Sequence, residues 1–229
     1  MMIPILTDYY EPGYLPAADS QTIPPYLPNA SLAVRRKLVE TLGGYDKACR
    51  AGEDADLCAR AARAGWAQYF EPKARVSHEP RNSLRGLIRQ WIWYGSGGSR
   101  FFIKQQKRPV EIYLNLSLVP RMYRYKLLFS CRWFPVPVML FVSPFLLLHL
   151  IALAGLLTLL TGFHEAGFVL LLLCAAISIF LYYRSSLKRL SGKELMLYVG
   201  ITYLINWTCI ISSFRAGLKK RRILVYPGI

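Results

Sequence analysis

Acidic side chains are scarce in this chain: 13 against 29 lysines and arginines, a formal net charge of +16. Charged residues make up only 18% of the total, fewer than the roughly 25% of an average soluble domain. The five cysteines (Cys49, Cys58, Cys131, Cys174 and Cys209) form no Cys-x-x-Cys pair and have no metal-ligand spacing. They read as reduced, structural thiols, consistent with a cytosolic face. The opening Met1-Met2-Ile3-Pro4 lacks the basic region and long apolar run of a signal peptide. Internal repeats and low-complexity segments are absent. So are helix-turn-helix, zinc-finger and aromatic RNA-binding strand patterns, so the positive charge does not point to nucleic acid. Set beside apolar runs, it points instead to anionic lipid headgroups and a cytoplasmic side.

What is abundant is apolar sequence, 54% overall and concentrated after Phe134. Three runs, about Val136–Leu160, Gly167–Tyr183 and Leu195–Phe214, approach the ~20 residues needed to cross a bilayer. They predict two to three transmembrane helices over 136–214, with a basic, cytoplasmic-type tail over 215–229. Orientation is in conflict. Arg184, Lys188, Arg189 and Lys193 belong on the cytoplasmic side, and a third full crossing would then export Lys219–Arg222. The third run is therefore either a genuine span or re-entrant, with Asn206 facing protein. Residues 111–134 mix Leu, Tyr and Arg, which suits an amphipathic helix on the bilayer surface.

The first 134 residues have the size of one modest core. Residues 1–27 are rich in proline and read as extended loop. A helix is expected over Val34–Leu42, stopped by Gly43-Gly44. A second begins near Asp54, with Leu57, Ala61 and Ala64 on one face and Asp56, Arg60 and Arg63 opposite. Strands are expected at Trp66–Glu71 and Ala74–His78. A third helix runs from Ser83 to Tyr94, interrupted by Gly95-Ser96-Gly97-Gly98.

The chemistry concentrates in Gly52-Glu53-Asp54-Ala55-Asp56-Leu57. Carboxylates at a helix N-terminus are held as anions by orphan N–H groups and the macrodipole, by about 0.3–1 kcal/mol. A plain cap with solvated acids is the alternative reading of the same run. His78, about twenty residues on, sits where two strands would return the chain. It could ligate a divalent cation or simply bond to backbone.

An ordered series of motifs surrounds this cluster. It comprises Pro28-Asn29-Ala30-Ser31-Leu32-Ala33-Val34-Arg35-Arg36, Gly43-Gly44-Tyr45-Asp46, the acidic run continuing to Leu57-Cys58-x-Arg60, Gly65-Trp66, Pro72-x-Ala74 and Val76-x-His78. The series resembles the acceptor-side half of family-2 glycosyltransferases of the GT-A fold. Arg89-Gln90-x-x-x-Tyr94-Gly95 is similar to bacterial membrane-attached members that build exopolysaccharide or glycolipid. The resemblance covers about residues 25–110. It implies an α/β partial GT-A domain over 28–110, followed by an all-α transmembrane region in the bacterial inner membrane, with the catalytic part cytoplasmic.

The resemblance also implies roles. Asp54 matches the base that deprotonates an acceptor hydroxyl for inverting displacement, and Glu53 a residue that helps place the acceptor. Asp56 is expected to order the helix start or to bind Arg35 or Arg36. His78 matches a ligand for Mg²⁺ or Mn²⁺ on a nucleotide diphosphate. Gln90, Trp93 and Tyr94 fall near the Gln-x-x-Arg-Trp signature of processive relatives, as an acceptor-binding group. Trp93 stands where that signature has arginine, which argues against a processive synthase. Trp91 and Trp93 can equally be core or interface anchors. The implied partners are a nucleotide-sugar donor, a lipid-linked or glycan acceptor and membrane lipids.

Ahead of Pro28 the family has a donor half with an Asp-x-Asp motif; the 27 residues here contain none. The expectation is a fragment inactive without that half, which a separate polypeptide could supply. Two rival classes are a non-catalytic scaffold derived from such an enzyme and a small transporter subunit. The apolar runs carry few ionisable groups, which counts against the transporter.

Overall fold

The computed structural model describes residues 13–14, 27–77, 79, 81–114, 125–129, 135–184 and 189–226. The expected loop over 1–27 lies almost wholly outside them, as does His78. Within it Gly13–Tyr14 (β1) pairs antiparallel with Tyr69–Phe70 (β2). Strand β2 is all that forms of the expected Trp66–Glu71 strand, and residues 74–77 are irregular rather than extended in a ladder.

Helix α1 (Arg36–Leu42) ends as expected at Gly43, whose φ of 70° is left-handed and lets the Gly44 N–H return to the Val39 carbonyl. Helix α2 (Glu53–Arg63) packs Leu57 and Ala61 on Leu38, with Leu42 and Trp66 at the margin. The face away from Leu57 and Ala61 carries polar residues in the sequence. In the structure Ala55 and Ala59 bury against Phe101, and Asp56 is 1% exposed.

Helix α3 runs unbroken from Leu84 to Gln105, correcting the expected stop at Gly95. Ser83 caps it by accepting the Gly86 N–H. Glycine costs about 1 kcal/mol in a helix interior, and close packing offsets that here. A Cβ on Gly95 would lie 2.1 Å from Ser212 Oγ and 2.7 Å from the Cys209 carbonyl oxygen, and one on Gly97 would lie 2.7 Å from Ala51 Cβ. Gly95 therefore lets α3 lie directly on α6 (Gly192–Leu218), and Gly97 admits the loop before α2.

A second correction concerns residues 111–134. Val110–Leu114 (β3) and Tyr125–Phe129 (β4) are antiparallel strands, not an interfacial helix. The run Val110-Glu111-Ile112-Tyr113 alternates with period two and carries β-branched residues, the pattern of a strand. The apolar third is not all-α either. Val138–Val142 (β5) opens it and pairs parallel with β3, and Ile223–Val225 (β6) pairs parallel with β5, giving the order β4-β3-β5-β6. Tyr113, Met139 and Leu224 form the sheet's core; Tyr113 stacks on Phe141, and Phe102 of α3 lies 4.6 Å from Phe141.

Between β5 and β6 lie α4 (Pro144–Leu160), α5 (His164–Arg184) and α6. Ser143 caps α4 with Pro144 in its first turn, and α6 starts with a reciprocal Ser191–Glu194 capping box. Among the described residues one helix, α6, is long and apolar enough to cross a membrane; α4 has 17 residues. Helix α6 is continuous over 27 residues, and Asn206 on it is buried.

Gly95→Leu should wedge α3 off α6 and lower stability by about 1–3 kcal/mol. Gly98→Ala, whose Cβ would meet only Phe102 at 4.0 Å, should be neutral or gain up to about 1 kcal/mol. Thermal melts in one detergent would separate the two; equal melting temperatures would contradict the close-packing account.

Candidate active site

Helix α2 begins without a capping side chain, because Gly52 (φ 76°) occupies the cap position. The first-turn acids take over its exposed donors. Asp54 Oδ1 accepts the Ala55 N–H at 2.8 Å, and Oδ2 accepts the Asn29 N–H at 3.1 Å. The Asn29 side chain donates to Glu53 Oε1 at 3.2 Å, and its own oxygen accepts the Tyr45 hydroxyl at 2.8 Å. Thus a turn of 3-10 helix at Asn29–Ser31 is tied to the α2 N-terminus and to the loop after α1. Burial, then the charges of Asp54, Cys58 and Glu53, pushes the Tyr45 phenol above its ordinary pKa, so it stays a donor. Asp54 and Glu53 are half-buried and make no ion pair among the described residues. Two carboxylates held by neutral donors alone keep oxygen lone pairs free to accept a further hydroxyl.

Asp56 behaves differently. It pairs with Arg60 at 2.8 Å and with Lys104 at 3.2 Å, not with Arg35 or Arg36. Arg60 is fixed by the Leu42 and Gly44 carbonyls at 2.8 and 2.7 Å, so α2, α3 and the end of α1 share this one buried charge. Arg35 merely precedes α1, and Arg36 pairs with Glu40 on the surface, because the side chains of Arg36 and Glu40 share one helix face. Lys104 also bonds Asp46, with Arg100 nearby at 3.9 Å. The Lys104 hydrogen bond, then the Ala48 N–H, hold Asp46 at a pKa of about 2. Desolvation opposes the Lys104 charge, but Asp46 and Asp56 outweigh it and raise its pKa.

Asp46, Cys49 and Asp56 place two carboxylate oxygens and a thiol within 4.8 Å of one another. This group does not fit Mg²⁺ or Mn²⁺. Lys104 already lies on both carboxylates, burial raises the Cys49 thiol pKa, and hard cations need several free oxygens.

Gln90, Trp93 and Tyr94 sit together on α3. Gln90 donates to the Tyr94 hydroxyl at 2.8 Å, and Tyr94 lies 5.5 Å from both Trp91 and Trp93. Trp93 is 47% exposed, which disfavours a role as a core anchor within this chain. None of the three bonds to Glu53 or Asp54. The structure therefore brings Asp54, Glu53 and Asp56 onto one helix turn, and groups Gln90, Trp93 and Tyr94 on α3. Asn29 and Tyr45, given no role from sequence, complete the carboxylate site. Their place within motifs flanking the acidic run was the available signal.

This mixed α/β arrangement, with an anionic helix start facing an asparagine turn, accompanies a match of residues 24–183 to the model of glycosyl transferase family group 2. The chain belongs to that family. It is 30% identical over 90 residues to a pre-mycofactocin glycosyltransferase of Mycobacterium tuberculosis, covering 39% of this chain and 19% of that protein. It is 31% identical over 88 residues to the succinoglycan biosynthesis protein ExoA of Rhizobium meliloti, covering 38% of this chain and 27% of ExoA. The matched stretch thus spans about a fifth to a quarter of these relatives. No solved structure matches the chain.

Lys104→Met should destabilise the domain by roughly 1–3 kcal/mol, since it removes a donor from the buried Asp56. Asp46 titrates in the folded state below its unfolded value. Its contribution is therefore full above the ordinary carboxylate range and drains as pH falls towards about 2. Denaturation series from pH 6 to pH 2 should show this acid dependence in the wild type and a flatter one in Lys104→Met; parallel curves would refute the pairing.

Proposed function

We propose that the chain is the acceptor-side part of a membrane-attached, inverting glycosyltransferase. Asp54 is the base that removes the proton from an acceptor hydroxyl, and Glu53 positions that acceptor. Gln90, Trp93 and Tyr94 offer an aromatic platform on which a sugar ring could rest. The donor is a nucleotide-sugar whose diphosphate carries Mg²⁺ or Mn²⁺; His78, on the resemblance alone, is the ligand this chain would add. The acceptor is a lipid-linked or growing glycan at the cytoplasmic leaflet of the bacterial inner membrane. The remaining nucleotide-sugar contacts come from a donor half with an Asp-x-Asp motif, in the same or a separate polypeptide.

The observation that carries this reading is Asp54, half-buried, held by the Ala55 and Asn29 N–H groups and without a cationic partner among the described residues, within a stretch the family model covers. Membrane attachment is supported by α6 and by α4 and α5, which are apolar on all sides and leave large side chains such as Leu160, Phe168 and Leu172 exposed. A helix apolar all round is either deeply buried in protein or sits in lipid.

The test is transfer of radiolabelled sugar from nucleotide-sugars by membranes that hold the chain joined to a donor half. Asp54→Asn should lower transfer about 10²–10⁴-fold with folding unchanged, and the chain alone should give no turnover. Transfer indifferent to Asp54→Asn would favour the non-catalytic scaffold reading, in which the Asp54 carboxylate is a helix cap.

A further inference from the structure

A groove of about 200 Å³ lies between α3 and the turn that follows α6, lined by Ser99, Arg100, Ile103, Lys104 and Lys220. Arg100 and Lys104 are one helical turn apart, so their side chains share a face of α3. Lys220 reaches it from the other side, in the turn Lys219–Arg221 that closes on the Gly217 and Leu218 carbonyls. Three basic side chains from two elements therefore line one hollow together with Ile103 and Ser99.

The local charges do not cancel. Asp46 bonds Lys104 and lies 3.9 Å from Arg100, while Asp56 is shared between Lys104 and Arg60. Lys220 and Arg222 make no ion pair among the described residues, and the Arg222 guanidinium donates to the neutral Gln106 at 2.8 Å. Arg221 adds an unusual feature. Its φ of 54° is left-handed, a conformation in which glycine or asparagine is cheaper.

The groove also abuts the end of an apolar helix. Leu218 and Phe214 of α6 are exposed immediately before the basic turn. An amphiphile with a phosphate head and a hydrocarbon tail matches both halves of this surface: the head bonds the guanidinium and ammonium groups, and the tail lies along α6.

We propose that Arg100, Lys104 and Lys220 form a phosphate-binding groove that takes the headgroup of an anionic lipid. The site is separate from the α2 carboxylates and does not depend on the sugar-transfer reading.

The experiment uses the full chain in a neutral detergent, with binding read by microscale thermophoresis. The probes are short-chain phosphatidic acid, short-chain phosphatidylcholine and inorganic phosphate. Phosphatidic acid should bind more tightly than either other probe. Arg100→Ala and Lys220→Ala should each weaken it about tenfold, the loss of one charge-assisted hydrogen bond, while Lys37→Ala, on the exposed face of α1, should leave it unchanged. Lys104 is left intact because it supports Asp56. Equal binding of phosphatidylcholine, equal binding of inorganic phosphate, an equal loss in Lys37→Ala, or no loss in Arg100→Ala and Lys220→Ala would each overturn the proposal. A melting curve for each variant separates lost binding from lost folding.

Discussion

The close approach of α3 to α6 is the constraint on which the other contacts depend. Gly95 brings the α3 backbone against Ser212 and Cys209, at a separation that any larger side chain would forbid. With that contact made, the rest of α3 is placed. Gly97 admits Ala51 and so the loop leading into α2, Phe101 covers Ala55 and Ala59, and Phe102 reaches the sheet at Phe141 and Tyr226. One helix thus joins the carboxylate-bearing helix, the parallel strands and the long apolar helix. Three interior glycines, Gly95, Gly97 and Gly98, weaken an isolated helix, so α3 owes its continuity to what it packs against.

The same helix settles the charge of the α2 turn. Lys104 lies on Asp46 and Asp56, and the buried Asp56 also holds Arg60, itself anchored on two carbonyls. A buried carboxylate with two cationic partners contributes modestly to net stability but is costly to expose to a missing partner. It therefore fixes the register of α2 against α3 more than it adds affinity between them.

Much of the N-terminal part was legible in the sequence because its signals are local. Gly43-Gly44 ends α1 through a left-handed turn, and the Leu57–Ala61 spacing marks the packed face of α2. The failures share one cause, which is that tertiary contacts override local preference. Gly95 to Gly98 read as a break because propensity cannot see Ser212 and Ala51 on the other side. The parallel pairing of β3, β5 and β6 joins residues 110 to 225 and leaves no trace at short range. The apolar run from Val136 concealed a strand, although Ser143-Pro144 carried a cap-and-proline signal for a helix starting there. At the site, the acidic run was visible, whereas its partners Asn29 and Lys104 lie 24 to 48 residues away along the chain and become neighbours only in the fold.

Three acids crowd the first turn of α2, and their surroundings separate what each can do. Asp56 is dry and doubly neutralised by cations, so its charge is already spent on structure. Asp54 and Glu53 are bound by an asparagine and by backbone N–H groups, which orient a carboxylate without cancelling its charge. A proton acceptor needs that combination: fixed geometry, net negative charge and a free lone pair. The cations lie on the neighbour two residues later and not on Asp54, an arrangement that a plain helix cap does not require, because a cap needs only that the N–H groups be satisfied. That is the physical ground on which Asp54, rather than Asp56, is proposed as the base.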